Sequence, residues 1–121
     1  MELEKFYESV GGDYKEVRRR IPSDDAIQRF VTKFPNDQSY EKLRQAVEKK
    51  DYEEAYRAVH TLKGTSQNLG FKRLGASASE LSAFLRNVNP DEMDEERYEE
   101  LKCQVFKDYE EVAKAIRNLQ G

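Results

Sequence analysis

Residues 60–70 read His60-Thr61-Leu62-Lys63-Gly64-Thr65-Ser66-Gln67-Asn68-Leu69-Gly70, and His60 is the only histidine of the 121-residue chain. If the stretch is helical, Lys63 and Gly64 lie beside His60, because residues three and four apart are neighbours on an α-helix. Each residue advances about 100° around the axis. With His60 at zero, Lys63 falls at about −60°, Gly64 at about +40° and Gln67 at about −20°. Ala55, Val59, Leu62, Ser66 and Leu69 all fall between about 180° and about 260°. The stretch therefore predicts an amphipathic helix whose core face is almost opposite the histidine. A nucleophilic nitrogen, a cation and bare backbone are brought together in water.

A lone histidine is most often a satisfied structural residue, but this spacing removes His60 from the core. An ordinary exposed histidine would leave Gly64 unexplained, since glycine inside a helix costs about 1 kcal/mol relative to alanine. A helix that accepts this cost beside its only histidine needs close approach by something large. Lys63 alone carries little information; the combination carries the reading.

Working outward, the remaining sequence predicts helices on both sides. Leu3, Phe6, Tyr7 and Val10 follow helical spacing and stop at Gly11-Gly12. Tyr14, Val17 and Ile21 suggest a second short piece closed by Pro22. Ser23 is placed to cap a third, with Ala26, Ile27, Phe30, Val31 and Phe34 as its buried stripe, and Pro35 ends it. A helix from about Ser39 to Lys50 carries Leu43, Ala46 and Val47. Asp51 begins the helix that holds His60, and Gly70 closes it in a left-handed conformation. Leu74, Ala78, Leu81 and Leu85 make the next stripe, to about Asn87. Asn89-Pro90-Asp91-Glu92 carries the signals of a helix start, ahead of a final stripe of Tyr98, Leu101, Val105, Tyr109, Val112, Ile116 and Leu119. Strand-like alternation and internal repeats are absent. The expected fold is all-α: an antiparallel four-helix up-down bundle over residues 37–121, with short N-terminal capping helices over residues 1–36, forming one domain.

Bulk composition agrees. A chain of this length removes roughly two thirds of its unfolded surface from water, enough for one core. Hydrophobic and charged residues each make up 37%, which suits a bundle with solvated outer faces. The net charge of −3 has the wrong sign for nucleic-acid binding. Cys103 is the only cysteine, so no intrachain disulfide can form, and with a single histidine the usual zinc ligand sets are excluded. No metal site is expected. No apolar run approaches the ~18 residues of a membrane span, and the N-terminus lacks a signal peptide's basic start. The expectation is a cytoplasmic, monomeric protein, and Met1 with a helical C-terminus favours a complete small chain.

The stretch His60-Thr61-Leu62-Lys63-Gly64, with Ser66 and Leu69-Gly70, resembles the signature of histidine-containing phosphotransfer (HPt) domains of two-component phosphorelays. The motif spans only eleven residues but is specific, and the helices from about Ser39 onward resemble the family's bundle. The resemblance implies a phosphocarrier rather than an enzyme, without ATP-binding machinery of its own. His60 is then the phosphorylated nucleophile, accepting a phosphoryl group from the aspartyl phosphate of a receiver domain and passing it to another receiver. Free histidine titrates near pH 6.5, so a neutral fraction is available near neutrality. Lys63 is expected to balance phosphoryl charge, and Gly64 to admit the partner. Gln67 is a possible hydrogen-bond donor to the phosphoryl group. Some members of the family orient the imidazole with a Gln or Glu at the position matching Ser82; serine is short for that task, and Ser79 is an equally weak substitute. Arg57, Lys72 and Arg73 are candidates for docking an acidic partner, with Tyr56 and Phe71 as candidate apolar contacts. The expected partners are response-regulator receiver domains, including that of a hybrid sensor kinase. The chain itself is expected to bind no cofactor, and Mg²⁺ to reside on the receiver. Two other readings compete: the phosphoacceptor module of a chemotaxis-type histidine kinase, and a non-catalytic helical partner-binding module.

Overall fold

The computed structural model describes residues 2–120, and these form helices with no strand among the described residues. The elements are α1 (Leu3–Ser9), α2 (Tyr14–Arg20), α3 (Asp24–Lys33), a 3₁₀ turn (Phe34–Asn36), α4 (Ser39–Glu48), α5 (Tyr52–Asn68), α6 (Lys72–Leu85) and α7 (Glu95–Gln120). Local chemistry sets most of the starts. Asp13, Ser23 and Asp51 accept hydrogen bonds from the backbone N–H three residues on, in Glu16, Ala26 and Glu54 respectively, which satisfies donors that have no partner inside a helix.

Helices α4 to α7 carry the core, each packed on its neighbour in sequence. The three-residue turns at 49–51 and 69–71 bring each helix back alongside the one before it. Aromatic side chains join α7 to α4: the rings of Tyr40 and Tyr109 stack with centroids 3.5 Å apart, and the Tyr40 hydroxyl donates to Glu110 at 3.1 Å. The predicted stripes Leu74, Ala78, Leu81, Leu85 and Tyr98, Leu101, Val105, Tyr109, Val112, Ile116, Leu119 are buried throughout.

The N-terminal helices clamp the turn between α5 and α6. Phe6 and Tyr7 pack their rings against Phe71. The Tyr7 hydroxyl donates to the Leu69 carbonyl at 2.7 Å, and the Asp13 N–H to the Gly70 carbonyl at 2.9 Å. Burial pushes the Tyr7 phenol well above its usual range. Gly70 is left-handed, with φ +73°, as its sequence position predicts, and an added Cβ would lie 2.1 Å from a Val17 methyl. Both conformation and contact therefore demand glycine there.

Two sequence expectations are corrected. The last helix begins at Glu95 rather than at Pro90. Asp94 is the residue that accepts from the Arg97 N–H, at 3.0 Å, while the Asn89 side chain and carbonyl close a turn onto Asp91 and Glu92. Capping chemistry occurs twice within six residues, and the first set makes a turn. Phe30, predicted as core, is 52% exposed, whereas Ile27, Val31 and Phe34 are buried. It lies at the edge of the α3 stripe, about 60° from Ile27, and the bundle does not reach around to cover it.

Candidate phosphoacceptor site

The middle of α5 presents His60 to solvent, eight residues from each end of the helix. Ala55, Ala58, Val59, Leu62 and Ser66 turn inward against α4 and α6, so the split between faces predicted from the sequence is present. Asp51 caps the helix, and Glu53 and Glu54 place acids at its positive end.

Around His60, Lys63 and Gly64 are partly exposed and Gln67 is exposed. A Cβ built on Gly64 meets no atom within 4 Å among the described residues. No packing contact requires glycine at that position, and its absence of a side chain leaves the helix surface bare beside the imidazole. Tyr56, one turn before His60, lays its ring near the imidazole, with centroids 5.8 Å apart and planes 27° from parallel. Tyr56, expected as an apolar docking contact, thus lies beside the imidazole, as the i, i+4 spacing of two rings on one face allows. Tyr56 also forms one wall of a cleft of about 810 Å³ between the α4–α5 turn and the segment after α6.

The other predicted site residues are dispersed. Arg57 is held by Glu53 at 2.8 Å and by Glu54 at 2.9 Å, and these hydrogen bonds, that of Glu54 foremost, raise its pKa above the usual guanidinium value. Lys72 lies 3.8 Å from Asp13, and Arg73 pairs with Glu111 at 3.0 Å. Both stand at the start of α6, beyond the end of α5, which is itself about 12 Å along the axis from His60. Ser82 is buried among the core residues of α6, 4% exposed, and no hydrogen bond joins it to His60 among the described residues. Ser79 is partly exposed. Phe71, expected as a docking contact, is instead completely buried under Phe6, Tyr7 and Phe34. Ser66 is buried, and its Oγ has no hydrogen-bond partner among the described residues.

Among the described residues no three His, Cys, Asp or Glu side chains converge in a metal-binding group, and no helix is long and apolar enough to cross a membrane.

No curated protein and no solved structure matches the chain. A family model does: that of the Hpt domain, over residues 25–120, from the start of α3 to the end of α7. The match includes the whole of α5 with His60 exposed at its centre. The chain thus belongs to the Hpt-domain family, whose members are phosphocarriers in histidine phosphotransfer within phosphorelays and interact with receiver domains of response regulators or hybrid kinases.

Proposed function

We propose that this protein carries a phosphoryl group between receivers through His60, which takes it from the aspartyl phosphate of one receiver domain and gives it to the aspartate of another. The observation that carries the reading is His60 standing exposed at mid-helix beside a glycine that no packing contact requires. Neutral His60 attacks phosphorus in line through Nε2. The N–P bond forms as the P–O bond to the donor aspartate breaks, and the carboxylate departs as an anion. In the second transfer the acceptor carboxylate attacks phosphorus and the imidazole leaves. Lys63 opposes the negative charge on the phosphoryl oxygens in both steps. Gly64 lets the receiver's active site reach the helix surface, and Tyr56 restricts the imidazole on its N-terminal side. Gln67 supplies a hydrogen bond to the phosphoryl group from one turn further on. Mg²⁺ belongs to the receiver. Arg57, Lys72 and Arg73 have smaller roles, as rim charges whose carboxylate partners already engage them. Residues 1–36 act as a cap on the 37–121 bundle, and the monomer is the working unit.

Incubation with a phosphorylated receiver domain tests this. Wild type should take the label in a form labile to acid and stable to alkali, as an N–P bond requires. His60→Gln should take none while melting at the wild-type temperature, because the residue is exposed. Lys63→Ala should accept more slowly and lose the phosphoryl group faster. Acceptance should decline in acid, where the imidazole is protonated. Label retained by His60→Gln would move the site elsewhere.

A further inference from the structure

At the C-terminal end of α5, near Gln67 and Asn68, the end of α2 and the outer side of α3 lie alongside the helix. Two features stand out there. Phe30 is the one large hydrophobic side chain left exposed among the described residues, at 52%. It flanks a groove of about 390 Å³ in which the apolar side chains of Ile21, Phe34 and Leu69 are joined by Lys33, Asp37, Thr65 and Asn68. Thr65 lies at about +140° and Asn68 at about +80° on the α5 wheel, on the same side of His60 as Gly64. Arg20 is the second feature. Arg18 pairs with Asp24 at 3.2 Å and Arg19 with Glu16 at 3.3 Å, but Arg20 has no carboxylate partner among the described residues. Its guanidinium donates to the Gln67 carbonyl at 3.2 Å, which holds it at the edge of the phosphoacceptor face. The end of α5 is thus flanked by a cation on one side and an exposed aromatic ring on the other.

We infer that this rim, Arg20 with the Phe30 groove, is where a receiver domain docks when it exchanges phosphoryl groups with His60, and that it helps select which receiver does so. The inference rests on the phosphocarrier reading above. Size supports it. A standard interface covers about 800 Å² of each partner, a disc of roughly 16 Å radius. From His60 the helix runs only about 12 Å to Asn68. A receiver centred on His60 therefore overruns the helix and lands on this rim. Chemistry supports it too: the partner's phosphorylation pocket is rich in carboxylates and Arg20 supplies the opposite charge, while Lys33 and Asp37, which both line the groove, offset one another. Aromatic and arginine side chains are the types that dominate interface energetics. Arg20 and Ile21 precede residue 25, where the family match begins, so part of this rim lies outside the matched region.

The test uses the full chain with Phe30→Ser, Arg20→Ala and, as a control for loss of surface charge, Lys107→Ala on the exposed side of α7. Each is labelled from phosphoramidate, which phosphorylates imidazole without a protein donor. Each is also labelled from the phosphorylated receiver that serves wild type fastest, over a range of receiver concentrations. The half-saturating receiver concentration should rise about tenfold for Phe30→Ser and several-fold for Arg20→Ala. Maximal rate, phosphoramidate labelling and the Lys107→Ala values should stay at wild type. Wild-type half-saturation in both rim variants would overturn the inference, as would a lowered maximal rate alone. So would a wild-type dimer that Phe30→Ser dissociates without changing transfer, since a second copy would then be the occupant. A wild type that labels from phosphoramidate but from no receiver would instead overturn the phosphocarrier reading, and this inference with it.

Discussion

The two faces of α5 share one backbone and have opposite requirements. The inner face, Ala55, Val59, Leu62 and Ser66, is shaped by what the protein already contains: it packs on α4 and α6, and a change there should be read out as stability. The outer face, His60, Lys63, Gly64 and Gln67, is exposed or partly exposed, and nothing packs over Gly64. Under the proposed function a change there should be read out as transfer. On that reading a single helix separates folding from function by about half a turn.

The comparison breaks most readily at Leu62, which is fully buried. Leu62→Ala should cost about 2–5 kcal/mol, measured by denaturant unfolding, while the folded fraction still accepts phosphoryl groups at the wild-type rate. His60→Gln, two residues away, should give the opposite pair of results. If Leu62→Ala stops transfer in molecules shown to be folded, the faces are coupled and the division fails.

Ser66 sharpens the same division, because it is a polar residue on the inner face. Its buried Oγ has no partner among the described residues, and an unsatisfied buried hydroxyl costs about 1–3 kcal/mol. Ser66→Ala is accordingly expected to raise the melting temperature and to leave transfer alone. A lower melting temperature would show that the hydroxyl contributes to folding after all. The smallest stability effect is expected at Gly64, where alanine meets no neighbour and should add up to about 1 kcal/mol through helix propensity. Transfer should fall progressively from glycine through alanine to glutamine. Stability and transfer falling together would remove the access argument.

The sequence alone is enough for features whose signals are local. The Asp51 cap, the left-handed Gly70 and the orientation of His60 away from the core follow from spacing and from what each side chain can do to its own backbone. Phe30 escapes such reasoning because periodicity locates the centre of an apolar stripe and not its edges; whether an edge residue is covered depends on how far the neighbouring helices reach. Asn89 imitates a helix start because Asp94 offers the same chemistry five residues later, and nothing local ranks the two. Phe71 follows the turn residue Gly70 directly, and only the arrival of Phe6, Tyr7 and Phe34 from much earlier in the chain buries it. Arg20 belongs to the same class, since its hydrogen bond to Gln67 spans 47 residues.

The clamp of α1 on the α5–α6 turn has a consequence for how the protein is made. The Tyr7 hydroxyl and the Leu69 carbonyl are separated by 62 residues. At about 5–20 residues per second, a ribosome needs roughly 3–12 s to deliver the second partner after the first. Throughout that interval Phe6, Tyr7 and Val10, all buried in the finished protein, have no bundle to pack against. The partner made first is therefore among the last to find its place, and its Phe6, Tyr7 and Val10 side chains are available to chaperones while it waits.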